Sequence, residues 1–455
     1  MLLALRTGRV EPSTGESIVR FQLRLFDALS RLERLYFAIK HEQKRLIAAK
    51  ARYAPKWFSR RMATLDARGK LLRAAVGIGR ALGDGFAWFF YERDRNLVAE
   101  HLAQERQILL PTGVGGQGER AMLENLQGIG RMLLIYHGTT SFLRMGDVSF
   151  VDLKTLRVAA IGELKTQRIN ERALGLKLAL ISGRRDLFPD LTQMRRSTTP
   201  PRPLDPNLEA KLKRQTKRMG DAFGRARTAT KDPVRDSEGK FHFTELDDVI
   251  SRAGSRRPAY AKAGPSLVVG AMRYRRGRSL SARLSTPPSN PNRAFGDVVQ
   301  WATSILPPAF TDNALLLGRV SIGDDGPGVT ADAIPMACWP LPDDALRALV
   351  FGEVLLLTLY NPAHFWAALR ERGFSVTLGE RASVRRAVRT KGDQELHLEH
   401  ADYFHGLVQR SFVSLESVLG MVDQLLDLTE EKAAEGFRKI QMRPLVTRGP
   451  VSLES

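Results

Sequence analysis

Residues 145–166, MGDVSFVDLKTLRVAAIGELKT, constrain the fold more than any other part of the chain. Two apolar runs, 148–153 and 156–161, flank a polar break at Lys154 and Thr155. β-Branched and aromatic residues on both arms, with a turn between them, predict a hairpin. With the turn centred on Thr155, antiparallel pairing puts Asp147 opposite Glu163 and Asp152 opposite Val158. Lys165 lies two residues beyond Glu163 and projects from the same face. Two acids and a lysine thus gather at one end of the hairpin. Two carboxylates ~5 Å apart repel by roughly 3 kcal/mol at an effective dielectric near 20. Either one is protonated or a cation joins them. Lys165 offers part of that charge, and oxygen ligands of this kind suit Mg²⁺.

The surrounding charge points to a polyanion. The formal net charge is +21. Residues 184–235 hold 14 Lys/Arg against 6 Asp/Glu, and residues 251–283 hold 9 Lys/Arg and no acid. These two segments follow the hairpin and account for most of the excess. Such localised charge is the footprint of a nucleic-acid surface. A solvated basic loop is the plainer explanation, and a membrane surface the weakest, since no lipidation signal or basic amphipathic anchor accompanies it. The single cysteine, Cys338, excludes an internal disulfide and a cysteine-based zinc cluster, and suggests a reducing, cytoplasmic setting. No signal-peptide pattern is read at the N-terminus. The most apolar run, 348–360, is too short to span a bilayer.

Taken in order, residues 1–110 predict a helical domain. Leu25, Leu29, Leu32, Tyr36 and Ile39 recur at helical spacing, and further helices are expected at 63–82 and 86–109. The basic face of this domain could also hold a duplex. Gly113, Gly115, Gly116 and Gly118 predict a loop before a helix starting near Glu119. That loop lacks the Lys-Ser/Thr ending of a phosphate loop. A strand is expected at 131–136, a polar stretch after the hairpin, and a helix at 206–223. Gln215 falls in the apolar stripe of that helix. It is either a core glutamine satisfied by a backbone carbonyl or a polar group aimed at the acidic end of the hairpin. A buried strand at 266–274 and a strand at 314–321 are expected. Residues 311–455 read as mostly helical, with 343–360 buried and 402–428 packing on the core or on a second protomer in a homo-oligomer. His397, His400 and His405 form a polar cluster better explained by a solvated helix than by a metal site. No nucleophile elbow is present.

Helix, strand, the strand led by Asp147, the strand bearing Gly162-Glu163-Leu164-Lys165, the helix with Gln215 and then strand 266–274 resemble the core of the PD-(D/E)xK nuclease superfamily. Gly146 stands where the family name has proline. The resemblance covers about residues 119–274. It implies a restriction-endonuclease-like αβββαβ core within residues 111–310, flanked by helical regions at 1–110 and 311–455. It further implies a phosphodiesterase dependent on Mg²⁺ or Mn²⁺. Asp147, Glu163 and the Leu164 carbonyl would bind the metal, and Lys165 would orient or help deprotonate the attacking water. Glu119 or Glu124 matches a further ligand position on the preceding helix, with Glu124 placed in the metal set and Glu119 beside it. Gln167 and Gln215 match accessory polar positions. Arg214, Lys217, Arg218, Arg273, Arg275, Arg276 and Arg278 would line the backbone of a nucleic acid, DNA before RNA. Defence against phage or DNA processing in a bacterium is the associated role. The alternative is a non-catalytic nucleic-acid-binding or assembly protein built on a nuclease-like scaffold.

Overall fold

The expected hairpin lies within a four-stranded antiparallel sheet. In the computed structural model the described residues are 12–92, 94–104, 113–125, 132–152, 154–170, 174–182, 203–228, 240–254, 258–274, 316–320, 334–378, 384–391, 394–398 and 401–434. The chain divides into two compact units, one of residues 1–230 with 328–338, the other of 231–327 with 339–455. The boundary expected near 110 therefore falls inside the first unit, and the span expected as one core, 111–310, is shared between the two.

The first unit opens with two 37-residue helices, α1 (Pro12–Ala48) and α2 (Pro55–Tyr91), followed by α3 (Arg95–Leu102) and α4 (Val114–Asn125). Strands β1 (Met132–Tyr136), β2 (Val148–Asp152), β3 (Arg157–Arg168) and β4 (Leu174–Ser182) pair in that order, all antiparallel. Helix α5 (Pro206–Thr228) completes it. Leu25, Phe26 and Leu29 of α1 and Met122 and Leu123 of α4 share a core with Tyr136, Phe150, Ala160 and Leu164 on one sheet face. The alternate residues of β3 and β4 face α5, where Met219 approaches the Gly146–Ile161 contact and Gly220 approaches Ile181.

Several expectations change. The stretch after the hairpin is strand β4, paired along its length with β3. Of the glycines expected in a loop, Gly115, Gly116 and Gly118 lie in α4, which starts at Val114, while Gly113 stands just before it at a φ of 69°. A Cβ at Gly118 would run into the Thr166 side chain, so glycine there lets α4 lie close on β3. Likewise 63–82 and 86–91 belong to one helix. Gly83 and Gly85 within it face Thr139 and Ala337 at distances that leave no room for a Cβ.

The second unit holds α6 (Phe243–Arg252), β5 (Ala259–Ala263), β6 (Leu267–Arg273), β7 (Leu316–Val320), α7 (Asp343–Val350), β8 (Val354–Tyr360), α8 (Ala363–Glu371), β9 (Ser375–Leu378), β10 (Val384–Lys391), β11 (Gln394–His397), α9 (Ala401–Ser411) and α10 (Leu415–Ala434). Its sheets run β5-β6-β8-β7 and β11-β10-β9. The strand expected to close the αβββαβ core is thus β6, in the other unit's sheet, and the acidic hairpin's sheet gains β4 instead. The span 343–360 is a helix and a strand, parted by Gly352 at a φ of 63°. Among its described residues the C-terminal third holds five strands beside its four α-helices. The molecule is α+β with small antiparallel sheets.

Candidate active site

The β2–β3 register matches the expected one where it matters. Val148, Ser149 and Phe150 pair with Gly162, Ile161 and Ala160, which carries Asp147 opposite Glu163. Nearer the turn a bulge at Ala159 shifts the register, so Asp152 pairs with Arg157 and not with Val158. The bulge is well satisfied: Val158 donates to Asp94 at 3.0 Å and Ser182 Oγ to the Ala159 carbonyl at 3.2 Å. Asp152 anchors the turn, accepting from Lys154 N at 2.9 Å and Thr155 Oγ1 at 3.1 Å.

Asp147 is fixed through its backbone and side chain together. Its N–H donates to Gly162 O at 2.8 Å, its carbonyl accepts from His137 N at 2.9 Å, and its Oδ2 accepts from Leu164 N at 2.7 Å. Gly146, just before it, has a φ of 72°, and a Cβ there would lie 2.7 Å from Gly162 O. Proline, locked near −65°, cannot take that conformation, which accounts for glycine at this position.

Glu163 is 4% exposed and accepts from Lys165 Nζ at 2.5 Å. Glu119, 7% exposed, reaches the group from α4 and accepts a hydrogen bond from Tyr136 Oη. Burial and, after it, the charge of Asp147 push the Glu119 carboxyl up to about 8. Burial and then Glu163 push Asp147 up to about 7, against the lowering pull of Leu164 N–H, Lys165 and Lys211. Glu119 and Asp147 therefore each feel the charge of the other acids, in a setting that resists the ionisation of these two.

Glu124 does not join them. Five residues from Glu119, it points about 140° away around the helix. It is solvent-exposed and pairs with Arg120 at 3.0 Å. Glu119, and not Glu124, is the acid of α4 that faces Asp147 and Glu163. Gln167 also turns elsewhere: its Nε2 donates to Pro203 O at 3.1 Å and its Oε1 accepts from Asp205 N at 3.0 Å, tying β3 to the start of α5.

Gln215 lies between Lys211 and Met219 on one i, i+4, i+8 row of α5. Lys211 acts on Asp147 and Met219 reaches Gly146, so the row runs past the acidic end of the hairpin. The Gln215 Oε1 is buried and has no hydrogen-bond partner among the described residues. Arg214, Lys217 and Arg218 are exposed on the same helix. Arg273 belongs to β6 in the second unit and donates to Ile250 O at 3.3 Å. Arg275, Arg276 and Arg278 lie outside the described residues, as does His400. His405 is buried beside Tyr360 at 3.1 Å, while His397 is exposed on β11.

A buried hydrogen-bond chain that the sequence did not announce braces the segment leading to Asp147. His101 Nδ1 accepts backbone N–H groups from Arg144 and Met145, both at 3.0 Å, so its proton sits on Nε2. Nε2 donates to Tyr91 Oη at 3.3 Å, Tyr91 donates to Ser149 Oγ, and Ser149 donates to His137 Nε2 at 2.6 Å. His137 Nδ1 donates to Gly146 O at 3.0 Å. Both rings must be neutral for this direction to hold. Burial lowers His137 to about 4 and His101 well below its usual range. The ordinary positions of Tyr91 on a helix and Ser149 on a strand carry no sequence signal for such a chain.

Among the described residues no three His, Cys, Asp or Glu side chains converge to cage a metal ion. No helix among them is long and apolar enough to cross a membrane. Comparison with family models, curated proteins and solved structures finds no match for the chain.

Proposed function

We propose that the chain is a metal-dependent nuclease that hydrolyses phosphodiester bonds, of DNA before RNA. The observation that carries this reading is the meeting of Asp147, Glu163 and Lys165 at one end of the β2–β3 pair, with Glu119 beside them.

The donors fit Mg²⁺ or Mn²⁺ held by two carboxylates and water, the way Mg²⁺ is usually bound, and not an all-protein cage. Asp147 and Glu163 are the acids. Leu164 gives its N–H to Asp147, and a strand residue's carbonyl faces the same edge as its N–H, so the Leu164 carbonyl is the third donor. Glu163 is buried and Asp147 half-buried, and among the described residues lysine side chains are what offsets their charge, to which a cation would add. When bound, such a cation supplies Lewis-acid stabilisation of a phosphoryl oxygen and lowers the pKa of attacking water.

Within this reading Lys165 keeps a compact positive charge against Glu163 and orients or helps deprotonate the attacking water. Glu119 holds its proton near neutral pH beside Tyr136. Gln215 offers a free carbonyl oxygen along the same edge. Arg214, Lys217 and Arg218 take the phosphates on either side.

A second reading has its own support. Glu163 is already paired with Lys165, and among the described residues no three metal-ligating side chains converge, as in a non-catalytic nucleic-acid-binding or assembly protein. Plasmid incubated with Mg²⁺, with Mn²⁺ or with chelator separates the two. Cleavage is expected with metal alone and is expected to fall at least ~10²-fold in Glu163→Gln and in Lys165→Ala. Binding without cleavage under either metal would leave the second reading standing.

A further inference from the structure

The two long helices of the first unit form an arm whose far end has a character of its own. The buried pair Arg80–Glu33, at 3.1 Å, marks its base. Beyond it α1 continues from Glu33 to Ala48, 15 further residues or about 22 Å of helix. Over that length α1 and α2 bury chiefly against each other, as where Gln43 donates to Asp66 at 2.6 Å. The chain turns at the 3₁₀ segment Lys50–Arg52. At its base α1 packs on the acidic site: Phe26 meets the Tyr136 ring at 5.5 Å, and Asp27 pairs with Arg120 of α4 at 3.0 Å.

The outer part is strongly cationic. Residues 40–73 contain 11 Lys/Arg against Glu42 and Asp66 alone. Both acids are engaged inside the arm, Glu42 with Arg61 at 2.5 Å and Asp66 with Gln43. Lys44, Arg45, Arg52, Lys56 and Arg60 are exposed, and no carboxylate among the described residues pairs with them. Bringing these like charges to one tip is unfavourable by itself. In the same stretch Trp57 is 48% exposed and stacked on Tyr53 at 4.8 Å and 28°, and Ile47, in the last turn of α1, is 58% exposed. Two exposed apolar side chains in a stretch this rich in Lys and Arg do not make the continuous apolar face of a membrane-surface helix. Dense cations interleaved with an exposed aromatic face match phosphates and bases.

We propose that the outer end of the α1–α2 arm is a sequence-independent binding surface for the phosphodiester backbone of nucleic acid. It rests on the nuclease reading for what happens to the strand afterwards, and on the arm's own charge for the binding. Arg52, Lys56 and Arg60 contact phosphates, and Trp57 gives a stacking face where bases are unpaired.

The test is fluorescence anisotropy of labelled DNA and RNA duplexes between about 50 and 200 mM salt. The chain is compared with a triple variant, Arg52→Glu, Lys56→Glu and Arg60→Glu. These side chains are exposed, and circular dichroism checks that helix content is kept. The triple variant is expected to bind duplex at least tenfold more weakly. Its slope of log affinity against log salt should fall in magnitude by about 2 to 3. Trp57→Ala is expected to weaken single-stranded binding more than duplex binding. Affinity and slope equal to those of the parent chain would overturn the proposal. So would loss confined to phosphatidylserine vesicles with duplex binding intact. Hydrolysis of bis(p-nitrophenyl) phosphate, too small to bridge site and arm, separates this proposal from the catalytic one. A parent chain that cleaves nothing but loses duplex binding in the triple variant leaves the arm standing and the nuclease reading fallen. Cleavage alongside unchanged binding in the triple variant does the reverse.

Discussion

Gly146 shows how much of the site depends on a residue without a side chain. Its positive φ turns the chain so that Asp147 meets Leu164 N, and Gly162 O closes the space where a Cβ would go. Alanine there combines a left-handed backbone with a close contact. Gly146→Ala is expected to cost about 1–3 kcal/mol in urea unfolding. Any metal-dependent cleavage should fall with it, because Asp147 would be displaced from Leu164. A stability loss below about 0.5 kcal/mol with cleavage intact would show that the turn has no positioning role. The same scale separates residues that the sequence presents as alternatives. Asp152 is occupied by its own turn and Glu124 by Arg120, whereas Glu119 and Asp147 share a buried setting. Residue type and spacing could not distinguish Glu119 from Glu124. The choice depends on which face of α4 meets the sheet, and that follows from packing.

At the scale of elements, the loop between β1 and β2 is held by side chains from four segments: Tyr91 on α2, His101 on α3, His137 after β1, and Ser149 on β2. Ser149→Ala removes one link and leaves Tyr91 Oη and His137 Nε2 facing an alanine in a dry interior. The expected cost is about 1–3 kcal/mol. The chain also makes the fold acid-sensitive. Both histidine pKa values are lowered in the folded state, so the stability they contribute is present above the unfolded value near 6.5 and is lost as pH falls from there toward about 4. Groups facing the rings include Tyr91 and Arg144, the latter disfavouring a charged His101. His137→Gln should therefore be less stable than the parent at pH 7.5, yet lose less stability between pH 6.5 and 4, by up to about 3 kcal/mol. Parallel acid limbs for the two proteins, measured by thermal melting across pH, would count against the neutral chain. Of the elements themselves, the hairpin was legible because period-two alternation and a short turn fix the register. Strand β6 was legible as a strand but not by its sheet, since alternation identifies a buried strand without naming its neighbours. Strand β4 carries Lys177 in the middle of its leucines, which breaks the apolar run that would mark it as a strand.

The chain carries a net charge of +21, and its first unit holds a small group of sheltered acids. Every residue of that group comes from the first unit. The second unit, with its own sheets and core, was expected to supply the last strand and instead stands as a separate body. Length and composition suggested more than one domain but could not place the division, because residues 328–338 return to the first unit from far along the sequence. The acids give the molecule a signature that does not depend on finding a substrate. Folded-state pKa values of about 7 for Asp147 and about 8 for Glu119 lie above their ordinary values. Each group therefore contributes stability that is full at low pH, below the unfolded pKa. That contribution is lost as pH rises through the folded value, where the buried carboxyls are forced to ionise. A divalent cation held by Asp147 and Glu163 opposes that loss, since it binds the folded chain by its ionised acids. Mg²⁺ at a hundred times its dissociation constant would add about 2.7 kcal/mol to the folded state. Melting temperature is thus expected to rise with Mg²⁺ at pH 8.5, to respond much less at pH 5.5 where the acids keep their protons, and to lose the response in Glu163→Gln. An equal Mg²⁺ effect in that variant would move the cation elsewhere on the molecule, and no effect at pH 8.5 would leave Lys165 and Lys211 as the counter-charges of the acids.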